Sequence, residues 1–329
     1  MIPHSTYTEP LAATVSGIQL DADWEIPIER RPIYQKRKKY YNQPHLGVSL
    51  LAMDMGLATT GSQFGMAVSV GGVRSFSENF GVRWRLAHGI SYLSEKYDVQ
   101  KDPINYAIGS NFNYLLVLTG EFRFKFSNYL GINGGLNLTH CSNGNYKKPN
   151  VGLNVVNGSL GISYFPHSNR SEGKRLYRLK HKYFAYPYAL GVKLAIREHS
   201  IEFPQPTAVW IFDFNYRIQK NSKGYWDYGI ELFSDPNYYW DQYGNLYGVK
   251  AKDTREVALK VGKVFLFGRL GLRFDLGYYA LKPVHSDKPV FYNGLGCDYR
   301  LSQNWILRNR IKAHLNKADF MEWGLSYIW

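Results

Sequence analysis

An all-β fold, an antiparallel transmembrane β-barrel, is what the sequence predicts, and three observations carry that prediction. Long stretches alternate with period two between large apolar side chains and small or charged ones, as strands do when neighbouring side chains point to opposite faces. The 329 residues include 27 Tyr, 18 Phe, 8 Trp and 31 Gly. That composition suits short strands with bulky outer faces and argues against disorder. No run approaches the ~18 apolar residues of a spanning helix, which excludes a helical membrane protein.

The elements follow in chain order. Residues 12–24 alternate, but counting them would break the even strand number of single-chain bacterial barrels. Residues 1–43 therefore read as an N-terminal appendage, with room for an extra strand and a basic segment at Arg30–Lys39 on the periplasmic side. Residues 44–329 read as one barrel of about fourteen strands, within a range of about twelve to sixteen. The candidates are 44–54, 62–75, 80–92, 111–127, 129–142, 150–165, 182–198, 206–220, 224–234, 253–267, 268–282, 288–300, 303–314 and 319–329.

In 81–92, Val82, Trp84, Leu86, Ile90 and Tyr92 oppose Gly81, Arg83, Arg85, Gly89 and Ser91. In 114–126, Leu116, Leu118, Phe122 and Phe124 oppose Glu121, Arg123 and Lys125. Trp210, Phe212, Phe214 and Tyr216 oppose Asp213, Asn215 and Arg217, and Leu272, Phe274 and Leu276 oppose Arg273 and Asp275. A soluble sandwich keeps one face short and polar. Here one face is large and aromatic and the other mixes Gly with charge, which is the pattern of a barrel apolar outside and hydrated or charge-paired inside.

Short joints at Ser75–Asn79, Ser127–Asn128, Gln219–Gly224, Gly268 and Leu301–Gln303 suit periplasmic turns, leaving the long segments Glu95–Ser110 and Asp235–Asp253 outside. The joint Pro166–His181 is too long for this scheme. The C-terminus, MEWGLSYIW, sets Met321, Trp323, Leu325, Tyr327 and Trp329 on one face. It looks like the terminal strand by which the barrel assembly machinery recognises bacterial outer-membrane barrels.

Forty Lys and Arg against 26 Asp and Glu give a formal charge of +14. Such an excess favours anionic partners, but no face combines it with stacked aromatics, which argues against nucleic acid. The two cysteines, Cys141 and Cys297, can build neither a disulfide framework nor a thiolate zinc site. Their opposite parity and different rims argue against a bond between them. Met1 is followed by IPHSTYTEP, without a charged n-region or apolar h-region, so either the chain is cytosolic or a signal peptide lies upstream. Paired carboxylates, HExxH, Walker and GxGxxG patterns are absent, so no metal or cofactor is expected.

One hairpin departs from the pattern. In 130–142 the even row runs Leu130, Ile132, Gly134, Leu136, Leu138, His140, Ser142, so His140 and Ser142 continue the lipid-facing row. A hairpin centred near Lys147 brings Asn154 opposite His140. Side chains at i and i+2 share a face with Cβ atoms ~7 Å apart, close enough for an imidazole to lean over a hydroxyl. Ser142 then reads as nucleophile, His140 as general base and Asn154 as the group that orients the ring. Backbone N–H groups at Asn143 and Gly144 would cradle the oxyanion. The bland alternative is an ordinary polar loop with a rim histidine. Parity sends Cys141 into the lumen, away from His140, and His88 reads as a rim or packing histidine.

The motif His-x-Ser-Asn-Gly followed by Pro-Asn-x-Gly, here HCSNG and PNVG, resembles the lipid A 3-O-deacylase family (PagL-like, also termed acyloxyacyl hydrolases). The resemblance implies a barrel of the Gram-negative outer membrane with a Ser–His–acid triad on its lipid-facing wall. It implies an esterase that removes an acyl chain from lipid A or lipopolysaccharide among the outer-membrane lipids, without a cofactor. By the motif, His140 is the base, Ser142 the nucleophile and Asn143 with Gly144 the oxyanion region.

Two features depart from the family. The best-known members carry Glu where this chain has Asn154, and they are roughly half this length with eight strands. An amide accepts the imidazole N–H but cannot stabilise an imidazolium by charge. In the serine-protease template the acid-to-amide change costs ~10⁴-fold, whereas Asn is the natural orienter of the Cys–His–Asn relay. Lys147 and Lys148 at the loop tip are expected level with lipid A phosphates, or as a solvated pair. Asn105 and Ser110 are expected either to line the headgroup site or to cap a strand. The competing function is a non-enzymatic or impaired barrel, serving as an assembly partner or small pore.

Overall fold

A computed structural model describes residues 13–25, 43–166, 187–221, 224–267, 269–283, 285–315 and 317–329. Among them run fifteen strands: β1 (Ser16–Glu25), β2 (Gln43–Asp54), β3 (Ser62–Ser75), β4 (Phe80–Leu93), β5 (Phe112–Lys125), β6 (Leu130–Ser142), β7 (Leu153–Tyr164), β8 (Tyr188–Glu198), β9 (Pro206–Asn221), β10 (Gly224–Ser234), β11 (Arg255–Phe267), β12 (Leu270–Leu281), β13 (Phe291–Arg300), β14 (Trp305–His314) and β15 (Lys317–Ile328). Each segment singled out by alternation is a strand.

The closure differs from expectation. Instead of one barrel of about fourteen strands over 44–329, contacts divide the chain into two compact units, Met1–Ser142 with Val151–Lys180, and Asn143–Asn150 with His181–Trp329. The first holds a seven-stranded antiparallel sheet in the order β1-β2-β3-β4-β5-β6-β7. The second is a closed eight-stranded barrel in which β15 returns to pair with β8, Leu325 opposite Val192 and Tyr327 opposite Leu190. Alternation fixes which face a side chain takes but does not specify which edge strands meet. The segment placed in an N-terminal appendage supplies β1, paired with β2 from Ser16–Asp54 to Glu25–His45. The basic stretch Arg30–Lys39 lies outside the described residues, as does most of the long joint Pro166–His181.

In the first unit the outward rows expose Leu118, Phe122, Leu136, Leu138, Leu160 and Ile162. The inward rows divide along the strands. Toward the short turns Arg83 pairs with Asp23 at 2.7 Å and Glu121 at 3.3 Å, and Arg85 pairs with Asp21. Toward the long loops the interior is apolar, with Leu51, Met53, Leu115, Val117, Leu153 and Val155 in one cluster. Burying these side chains stabilises by about 1.5–3 kcal/mol each. It also gives the loop ends of β6 and β7 a rigid backing.

The second unit is filled with charge. Lys193 meets Asp213 at 3.0 Å, Glu231 at 2.8 Å and Glu322 at 2.9 Å. Arg310 joins Glu231 to Asp275, and Arg273 joins Asp227 to Asp298. Buried charges persist only when paired and hydrogen-bonded. Here the acids and bases of different strands, neighbouring and more distant, supply one another.

Candidate active site

The β6–β7 hairpin is positioned by its inward row, where Thr139 pairs with Val155 and Cys141 with Leu153 above the apolar cluster. On the other face His140 pairs in register with Asn154, and its Nδ1 lies 2.7 Å from Asn154 Oδ1. With Oδ1 accepting, the proton sits on Nδ1 and Nε2 carries the basic lone pair. Ser142 is the next residue of the same row, opposite Tyr114 of β5 and 2% exposed. Gly152 forms the floor beneath the imidazole. Its φ is +88°, and a Cβ there would lie 3.0 Å from His140 Cε1. Only glycine meets both demands without strain.

The hairpin tip, Asn143–Asn150, belongs to the second unit. Gly144 and Asn145 both take φ of 64°, which turns the chain sharply. The Asn143 N–H donates to Asn150 Oδ1 at 2.8 Å, and Asn143 Nδ2 donates to the Lys147 carbonyl at 2.7 Å. Lys147 Nζ meets Glu198 Oε1 at 2.7 Å, and Lys148 Nζ donates to the His199 carbonyl at 2.6 Å. Burial, with Arg197 and Lys317 nearby, lowers the Lys148 pKa.

The other sequence candidates have structural partners. Asn105 is buried and donates to the Thr59 carbonyl at 2.7 Å. Ser110 donates to the Phe112 carbonyl at 3.0 Å and to Asn113 Oδ1 at 3.2 Å, capping the start of β5. Cys141 faces inward, 3.0 Å from Ser91 Oγ, and both cysteines are free thiols. His88 stacks on Tyr114 with centroids 6.5 Å apart. Sequence reasoning missed three residues: Asn150 and Gly152, although both stand in the quoted PNVG, and Glu198, which no local signal marks. Among the described residues no group of His, Cys, Asp and Glu is arranged to hold a metal ion.

Outward apolar rows and inward charge pairs define a β-barrel protein, and in its first unit a His–Asn pair stands beside a serine on the outward row of β6 and β7. Residues 25–163 match the family model of lipid A 3-O-deacylase (PagL), and residues 181–329 match that of the acyloxyacyl hydrolase C-terminal domain. The chain belongs to this PagL-like, acyloxyacyl hydrolase family.

No curated protein matches the chain. Similar solved structures include the FrpB iron transporter from Neisseria meningitidis (F5-1 variant), 8% identical, covering 96% of this chain and 70% of that one at a TM-score of 0.20. A mutant Rh. blastica porin is 9% identical, covering 88% and 91% at 0.19. The Pseudomonas putida toluene transporter TodX is 10% identical, covering 96% and 84% at 0.19.

Proposed function

We propose that the protein is an outer-membrane serine esterase that hydrolyses an acyl ester of lipid A, with Ser142, His140 and Asn154 on the lipid-facing wall of the first unit. The observation that carries this reading is the His140–Asn154 contact of 2.7 Å on an otherwise apolar outward row. Nothing about packing requires a polar pair there, and in hydrocarbon an unpaired polar group costs several kcal/mol.

The steps of this reading are those of a serine relay. Asn154 Oδ1 holds the ring through Nδ1–H, and in this reading Nε2 takes the Ser142 proton as Oγ attacks the ester carbonyl. The backbone around Asn143 and Gly144, directly after Ser142, is assigned to the oxyanion. The imidazolium then protonates the departing sugar oxygen, which leaves as the hydroxyl, and water, deprotonated by His140 in the same way, cleaves the acyl–Ser142 ester to release the fatty acid and restore the serine. A lipid enters sideways from the leaflet, so its acyl chain stays against Leu138, Leu118 and Val156 without leaving hydrocarbon.

Incubation with lipopolysaccharide followed by mass spectrometry of the lipid A tests the reading. Loss of one hydroxyacyl mass with the native chain, absent with Ser142→Ala, is expected. Identical spectra would overturn it. The burial of Ser142, 2% exposed, favours the competing reading of a barrel that keeps the hairpin without turnover, and unaltered lipid A is what that reading expects.

A further inference from the structure

The tip of the motif hairpin is tied at two points to one buried carboxylate and at a third to the backbone of the same residue. Glu198 closes β8, and its side chain is 3% exposed. Its Oε1 accepts from Lys147 Nζ at 2.7 Å, its Oε2 accepts from the Lys148 N–H at 2.6 Å, and its own N–H donates to the Asn145 carbonyl at 2.9 Å. Two neighbouring ties complete the seat. Lys148 Nζ reaches the His199 carbonyl at 2.6 Å, and Asn145 Nδ2 reaches the Ala318 carbonyl at 2.5 Å. The ties within the tip, from Asn143 to Asn150 and Lys147, pass this anchoring to the residue that follows Ser142 in the chain.

We propose that Glu198 is the anchor of the HCSNG–PNVG hairpin and thereby a positioning residue for the nucleophile, an inference that rests on the esterase reading above. The tip consists of Asn, Gly, Lys, Tyr and Pro, residues that carry little apolar surface to hold a loop in place. Its order therefore depends on hydrogen bonds, and those to an ionised acceptor are roughly twice as strong as neutral ones. The backbone leaving Ser142 includes the N–H groups assigned to the oxyanion, and a misplacement of about 1 Å there costs on the order of 10²-fold. The two lysines, whose charge alone would have sent them to substrate phosphates, are committed to this seat.

The full chain, folded in detergent, is compared with Glu198→Ala by hydrogen exchange and by turnover of lipopolysaccharide. Exchange in 143–150 is expected to rise at least ~10-fold while β9–β15 is unchanged. The kcat is expected to fall ~10- to 100-fold with KM within about threefold, a split that general loss of folded protein does not give. If Glu198→Ala does not fold, Lys147→Met, at the exposed side of the pair, serves instead with a fall of ~2–5-fold in the same direction. An active native chain whose folded variant keeps its kcat overturns the positioning role, whether or not the tip loosens. A native chain that releases no fatty acid, yet whose protected tip is loosened by Glu198→Ala, overturns the esterase reading and supports the anchor alone.

Discussion

His140 meets two constraints at once: Asn154 Oδ1 fixes its Nδ1, and Gly152 leaves room for its ring. If the amide limits the relay, Asn154→Glu adds the missing negative charge beside the imidazolium and raises turnover by ~10-fold or more, within the ~10⁴-fold ceiling of the protease template. Fatty-acid release from lipopolysaccharide measures it, and an unchanged rate would show that orientation alone suffices. Gly152→Ala places a methyl 3.0 Å from His140 Cε1 on a backbone of φ +88°. The left-handed conformation alone costs about 1–2 kcal/mol, and the displaced ring is expected to lower kcat ~10-fold or more. Gel mobility of the unheated protein checks that the barrel still forms.

The β6–β7 hairpin shows what an element contributes. Its two faces were legible in the sequence because a strand has a strict period of two: Leu136, Leu138 and His140 share a row, and Cys141 takes the opposite one. Asn105 and Ser110 were not legible in the same way. A polar side chain in a loop bonds whatever the folded chain brings near it, here the Thr59 carbonyl and the start of β5. The outward row makes its own prediction. Leu160, 87% exposed at mid-strand in β7, should tolerate Lys poorly in a bilayer, with a loss of ~2–4 kcal/mol near the midplane. Urea unfolding in liposomes measures this, and no difference from the native chain would place that face out of lipid.

At the scale of the molecule the two units combine apolar packing and ion pairs in different proportions. The first backs its site with an apolar cluster and keeps a few ion pairs toward the short turns, while the second carries a much larger ion-pair network beside an aromatic cluster around Phe233. Lys193→Met leaves Asp213, Glu231 and Glu322 facing one another with one cation removed. Removing one partner of a buried pair costs about 3–5 kcal/mol, so a lower heat-modification temperature is expected on gels. The closure of β15 onto β8 also predicts that residues 181–329 expressed alone form a barrel, read by the same mobility shift and by circular dichroism.

By itself the sequence determined the strands, their faces and the hairpin that carries His140, Ser142 and Asn154, because side-chain alternation and motif spacing are local properties of the chain. Only the tertiary structure decided that the last strand returns to β8, so that the strands divide between two units. It also decided that Lys147 and Lys148 turn to Glu198 and His199. Strand closure and ion pairing join residues far apart in sequence, and every such edge or charge has many candidate partners until the chain is folded.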